Sequence, residues 1–238
     1  MTALHPKGLT NGNVTLSLHY HLYQKPFHYR PFGLYLSCRN DQTMTKAERT
    51  RQFIIEQSAP LFNTKGVAGT AMSDIMQATK MAKGGLYGHF ESKEELTHAV
   101  VDYCLGALGE KITAVMNKQK TAKGKLFAYL DFLSSPENPP LQGGCPMINF
   151  GIEADDTNTI INQKVKKGMD WSVNRIADVI TEGVGNGEFH ASWNAKEFAI
   201  KLFTMMEGAV MIAKVMGNNN NLHIIIKMLK TEIEAQVI

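Results

Sequence analysis

Residues 70–90 read TAMSDIMQATKMAKGGLYGHF, and this stretch decides the fold. With a helical period, Met72, Ile75 and Met76 form one apolar stripe, and Thr70 ahead of them is placed to cap a short helix over residues 71–78. A polar break follows at Thr79 and Lys80, and Met81 supplies an inward anchor. A second segment over residues 82–90 then sets Leu86 and Phe90 on one face by their four-residue spacing. Two short helices joined by a tight turn make a helix-turn-helix.

The second of these helices is rich in glycine. Gly84, Gly85 and Gly88 each cost about 1 kcal/mol relative to alanine inside a helix, so packing must hold the element and something must require it to stay thin. Close backbone approach to a large partner is such a requirement. Ala82 at the start offers no capping side chain, which leaves the first amides free to meet an anion such as phosphate. Lys80, Lys83, Tyr87, His89 and Lys93 surround them with donors.

Taken together, KAERTRQFIIEQSAPLFNTKG (46–66), the stretch 70–90 and ESKEEL (91–96) resemble the DNA-binding domain of the TetR/AcrR family of transcriptional regulators. The likeness covers residues 45–96 and fades towards the C-terminus. It departs at Lys80, where many members carry glycine; a left-handed backbone there costs a non-glycine residue about 1–2 kcal/mol. The resemblance implies an all-α protein in which a three-helix DNA-binding domain, residues 44–96, precedes a helical effector-binding and dimerisation domain, residues 97–238. It implies DNA contacts by Tyr87, His89 and Lys93, with Lys83, Gly84 and Gly85 at the exposed start of the recognition helix. Thr70 and Lys80 flank that surface. Lys83 is the side chain expected to read a guanine edge. Thr45, Arg49 and Arg51 near the start of the first helix are candidate phosphate contacts, with a solvated charged face as an equal alternative. For Tyr87 and His89 an internal structural role stays open beside the DNA role.

Bulk composition is nearly silent: a net charge of +3 over 238 residues does not by itself argue for nucleic acid. No run of about 18 apolar residues occurs, so no membrane span is expected. Cys38, Cys104 and Cys145 form no CxxC spacing, which speaks against a disulfide framework or a zinc site and points to the cytoplasm. Cys145, in GGCP, is either an exposed thiol able to sense oxidants or one more buried cysteine. Residues 1–43 are broken by Gly8, Gly12, Pro26, Pro31 and Gly33 and have no sustained period, so they are expected to be a disordered leader or non-native extension, with Met44 as the natural start. His19 and His21 as a metal pair, and Asn13 as a glycosylation site, are expected to be chance patterns.

The first helix should span residues 45–65 with Phe53, Ile54, Ser58, Leu61 and Phe62 inward, a kink or early end at Pro60 near Ala59, and a stop at Gly66. Ser92 and Glu95 form a capping box that opens a long helix to Asn117, a rod joining the two halves. Further helices are expected over residues 123–134, 147–154, 157–182, 195–216 and 222–237, roughly nine in all. The last two carry Phe198, Leu202, Met206, Val210, Leu222, Ile226, Leu229 and Ile233 on broad apolar stripes that need cover, either from the rest of the domain or from a second copy of the chain in a four-helix bundle; the family resemblance implies the second copy. Met147, Phe150, Trp171, Met205 and Met206 either line a cavity for an apolar effector, oriented by Asn149 and Glu153, or form plain core.

No nucleophile elbow, Walker loop, dinucleotide fingerprint or HExxH occurs, and no cofactor or metal is implied. The acidic residues Glu153, Asp155 and Asp156 are expected to be an exposed helix end. The function expected is a ligand-responsive, homodimeric DNA-binding regulator, a repressor of a near-palindromic operator. The alternative is a helical ligand-binding protein with a vestigial helix-turn-helix.

Overall fold

The computed structural model describes residues 44–134 and 141–238, and the expectations for residues 1–43 lie outside them. Among the described residues the chain forms nine helices and one isolated antiparallel bridge, Phe189 to Val237. The first, α1 (Lys46–Gly69), opens on Thr45, whose hydroxyl accepts from the Glu48 amide at 3.2 Å while its own amide donates to the Glu48 carboxylate at 2.8 Å. The expected kink at Pro60 does not occur; the helix runs through it, and the break comes at Gly66, with φ 76° and ψ 172°. Ile54, Ile55, Ser58 and Phe62 are buried, whereas Phe53, expected inward, is 42% exposed. Ile55 takes its place because the buried arc is centred one residue further along than the apolar letters indicate.

The next helices are α2 (Met72–Thr79), α3 (Lys83–Tyr87) and α4 (Lys93–Asn117). Ile75, Leu86, Phe90, Leu96 and Val100 are buried and join Ile54, Ile55 and Phe62 of α1 in the apolar core. Arg51, half-buried, clamps this unit: its guanidinium donates to the His89 carbonyl and to Glu95 at 2.7 Å, and lies 3.9 Å over the Phe90 ring. Arg51, a candidate phosphate contact, is thus engaged within the chain as a structural staple. The capping box of α4 is half formed. Ser92 accepts from the Glu95 amide at 3.1 Å, but the Glu95 carboxylate turns to the Glu91 amide and to Arg51, which hold it below the usual carboxylate range.

Beyond α4 come α5 (Ala122–Ser134), α6 (Pro146–Ala154), α7 (Thr159–Gly185), α8 (Ala195–Met216) and α9 (Asn220–Glu234). The Glu188 carboxylate accepts from the Ala122 and Lys123 amides at 2.7 and 2.8 Å and so caps α5. One continuous apolar core links the halves, with α4 packed on α1 and also on α5, α6 and α7.

The expected dimer stripe is corrected by this core. Phe198, Leu202, Met206, Leu222, Ile226, Leu229 and Ile233 are all buried within the single chain, and Val210 is half-buried and borders a pocket. They face α5 and α7, which consume the stripe. A different face is left over: Ile200, Met211 and Val215 on α8 and Ile224 and Met228 on α9 are exposed, Val215 by 81% and Met228 by 55%.

Candidate nucleic-acid interface and core cavity

The turn between α2 and α3 is made by Lys80 at φ 57° and ψ 26°, the one non-glycine residue at positive φ among those described. The departure from glycine noted in the sequence therefore falls on a left-handed position, where the side chain is strained. The start of α2 is capped from behind: the Ala71 amide donates to Asp74 at 3.0 Å, and that bond, together with Lys65 at 3.2 Å, holds the Asp74 carboxyl below its usual range. Thr70 is not the cap. It is fully buried with its hydroxyl donating to the Gly66 carbonyl at 2.7 Å, so its side chain is withdrawn from any DNA contact.

Leu86 and Phe90 anchor α3 to the core, and its other side faces out. Lys80, Ala82, Lys83, Gly84, Gly85, Tyr87 and Gly88 are exposed there, with the Lys83 ammonium 5.9 Å from the centre of the Tyr87 ring. Gly84 is the informative residue. A Cβ built on it meets nothing within 4 Å, and its φ is not positive, so neither packing nor backbone conformation within the chain requires glycine. Gly85 is less free, because a Cβ there would lie 3.2 Å from the Met81 methyl.

The other expected DNA contacts have intramolecular partners. Thr45 caps α1, and the Arg49 guanidinium donates to the Met44 carbonyl at 2.8 Å, though both residues stay exposed. His89 is half-buried and its carbonyl is held by Arg51. Lys93 donates to the Val67 carbonyl at 2.6 Å.

That last bond belongs to a polar joint between the two halves of the chain. After the Gly66 break the Val67 and Ala68 amides point outward, and the Glu153 carboxylate at the end of α6 accepts from both at 2.7 Å. A Cβ on Gly66 would come within 2.7 Å of that carboxylate, so glycine serves both the turn and the close approach. One turn earlier on each helix, Asn149 donates to the Asn63 carbonyl at 2.9 Å and to its side-chain oxygen at 3.0 Å, while Asn63 donates to the Gln142 and Gly144 carbonyls at 2.8 and 3.0 Å. Asn149 and Glu153, expected to orient a ligand, instead hold α6 and its preceding loop against α1.

The same loop walls a cavity of about 350 Å³ between α4, α5, α6, α8 and α9. Leu108, Ile112, Tyr129, Met147, Val210 and Leu222 make it apolar; Cys145, Glu207 and Lys214 are its notable polar side chains. The Cys145 thiol donates to Glu207 Oε1 at 3.4 Å, and Glu207 Oε2 is buried with no hydrogen-bond partner. Burial raises the Glu207 carboxyl above its usual range, and burial beside Glu207 also pushes the Cys145 thiol up. A thiol held protonated is a poor nucleophile, which weighs against the oxidant-sensing alternative for Cys145. The Lys214 ammonium turns away to the loop, donating to the Gly143 carbonyl at 2.6 Å and to Asn149 at 3.2 Å.

Family models match both halves of the chain: "Bacterial regulatory proteins, tetR family" over residues 54–100 and "Tetracyclin repressor-like, C-terminal domain" over residues 122–229. A TetR transcriptional regulator from Chloroflexus aurantiacus has a similar structure, with 40% identity and a TM-score of 0.76, covering 82% of this chain and 98% of that one. The chain belongs to the TetR family of transcriptional regulators. A second TetR-family structure, from Cytophaga hutchinsonii, is 32% identical with a TM-score of 0.78, over 82% of this chain and 98% of that one. The HTH-type transcriptional repressor DhaR of Mycobacterium sp. (strain GP1) is 23% identical over 177 residues, 72% of this chain and 86% of that protein. The vestigial-motif alternative is not favoured.

In this TetR-family protein the residues expected to line one ligand pocket are dispersed. Met147 lines the 350 Å³ cavity. Phe150 and Glu153 border another, of about 500 Å³, beside residues 67–68. Trp171 packs its ring 3.4 Å from where a Cβ on Gly109 would sit, Met206 is fully buried core, and Met205 is half-buried against it. Glu207, Tyr129 and Lys214 are not among the residues the sequence singles out. The available signal was a lone acid inside the otherwise apolar run FTMMEGAV, residues 203–210, where a carboxylate needs a reason to be.

Proposed function

We propose that this protein is a repressor that binds a near-palindromic operator as a homodimer and is released when a small, largely apolar molecule occupies the cavity bordered by Cys145 and Glu207. Residues 44–96 serve as the DNA-binding part and residues 97–238 as the effector and dimerisation part. The observation that carries the DNA role is the outward side of α3, where Gly84 leaves room that nothing in the chain itself needs. Lys83 at its start reads a base edge, while Tyr87, Lys80 and the first amides of α3 meet phosphates, which fix register without carrying sequence information. Two such helices on successive major grooves lie about 34 Å apart. Binding to DNA sets the place of action in the cytoplasm.

Met211 and Val215 on α8 and Ile224 and Met228 on α9, each pair at four-residue spacing and exposed, support association through these two helices, since exposed apolar surface favours a partner. Release follows from shared walls. The loop holding Gly143 and Gly144 borders the cavity on one side and grips Asn63 of α1 on the other, and a Cβ on Gly143 would lie 2.6 Å from the Asn63 carbonyl. A ligand that displaces this loop shifts α1, and with it the helix-turn-helix. Coupling of this kind is typically worth about 1–3 kcal/mol.

Selection of bound duplexes from a random pool, followed by titration with salt, tests the DNA role. A half-site repeat should emerge, and affinity should fall with log salt by about 0.9 per phosphate neutralised. Uniform binding to all sequences would sink it.

A further inference from the structure

The 350 Å³ cavity is apolar along most of its wall, yet it includes one acid, Glu207, among the described residues. Its Oε1 receives the Cys145 thiol at 3.4 Å, a weak donor, and its Oε2 is buried without any donor. Such an oxygen is costly unless something comes to satisfy it. The basic residue in the wall does not do so: Lys214 lies two helical turns further along α8, but its ammonium is engaged by the Gly143 carbonyl and Asn149. Other wall groups near the acid are the Tyr129 hydroxyl, on a fully buried ring, and the Cys145 thiol. An anionic ligand would meet a carboxyl already short of donors, and a purely apolar one would leave it so.

Resting on the cavity's role as the effector site, we propose that it takes an apolar organic amine, whose ammonium N–H donates to the Glu207 carboxylate as that group turns its unpartnered Oε2 towards the cavity, while its hydrocarbon body lies against Leu108, Ile112, Met147 and Leu222. The charged head lies against the α8 wall that carries Glu207, and the ligand remains protonated on nitrogen. A volume of about 350 Å³ falls in the usual range for small-molecule sites, about 300–1,000 Å³, and suits a body of one ring and a short chain. Glu207 is then the residue that sets specificity, and Cys145 positions it through Oε1.

The test uses the full chain and three probes of one shape: 4-phenylbutylamine, 4-phenylbutan-1-ol and 4-phenylbutyrate. Calorimetry measures their binding, and anisotropy of a selected operator duplex measures release. The amine should bind about tenfold to a hundredfold more tightly than the alcohol, the range for a hydrogen bond to a charged group, and the anion should bind worst. In Glu207→Gln the amine's advantage should vanish while the alcohol's affinity stays within about threefold. Glu207→Leu gives the same reading should the amide disturb folding, and thermal unfolding of each variant shows that it is intact. Equal binding of amine and alcohol, preference for the anion, no binding of the amine, or an amine preference that survives in Glu207→Gln overturns the assignment. Amine binding that depends on Glu207 but leaves operator affinity unchanged supports the amine site and instead removes the cavity's regulatory role.

Discussion

Replacing Gly84 by alanine adds one methyl group to the outer side of α3, where the built Cβ has no neighbour within 4 Å. Within the free protein the change is favourable: alanine is about 1 kcal/mol better than glycine in a helix interior, somewhat less in a helix of only five residues. For a domain of this size that corresponds to a rise in Tm of about 2–4 °C per kcal/mol. On DNA the sign reverses. A methyl group forced into a packed contact costs about 1–3 kcal/mol, and a dimer carries it into both half-sites, so the total is at least about 2 kcal/mol, or a thirtyfold or greater loss of operator affinity. Thermal unfolding and fluorescence anisotropy with the selected duplex read the two effects separately. A variant that melts higher yet binds within threefold of the parent would refute the idea that this glycine keeps the helix thin for the groove. A variant that melts lower would refute the packing argument itself.

Lys80→Gly should stabilise the chain by about 0.5–1 kcal/mol in denaturant titration, because relief of about 1–2 kcal/mol of left-handed strain exceeds the roughly 0.4–1 kcal/mol of entropy glycine adds to the unfolded state; Lys80→Ala should gain nothing. Glu153→Ala orphans the Val67 and Ala68 amides and should cost about 1–3 kcal/mol, seen as faster hydrogen exchange at those two amides and a smaller effect of ligand on operator affinity. Met228→Glu places a charge on the exposed stripe and should lower the dimer fraction in sedimentation equilibrium without lowering Tm of the monomer; an unchanged dimer would move the interface elsewhere. Glu207 binds its proton more tightly folded than unfolded, so the stability it affects is fully present below its usual value of 4.5 and is lost as pH rises through the raised folded value. Glu207→Gln should flatten that decline in unfolding measurements across pH, with Cys145, Tyr129 and Lys214 as the other ionisable side chains bordering the same cavity.

The helix order, the helix-turn-helix and the family were legible because they rest on local signals: periodicity, a glycine stop at Gly66, a serine cap at Ser92, and a run of residues in fixed spacing. Such signals act over a few residues and need no knowledge of what lies across the core. Local signals also misled where two candidates competed at short range. Thr70 has the right side chain for a cap, but Asp74 satisfies the Ala71 amide instead, and the Thr70 hydroxyl turns inward to the Gly66 carbonyl.

By itself the sequence determined that this chain is a row of amphipathic helices carrying a thin, lysine-flanked recognition element. Only the tertiary structure decided which side of α8 and α9 is consumed by the core, because an apolar stripe states that burial is wanted and not by whom. It also decided that Glu153 and Asn149 hold the two halves together, across separations of about 85 residues, and that one carboxyl oxygen of Glu207, Oε2, is buried without a donor. Those are relations between distant segments, set by how helices pack, and no local pattern encodes them.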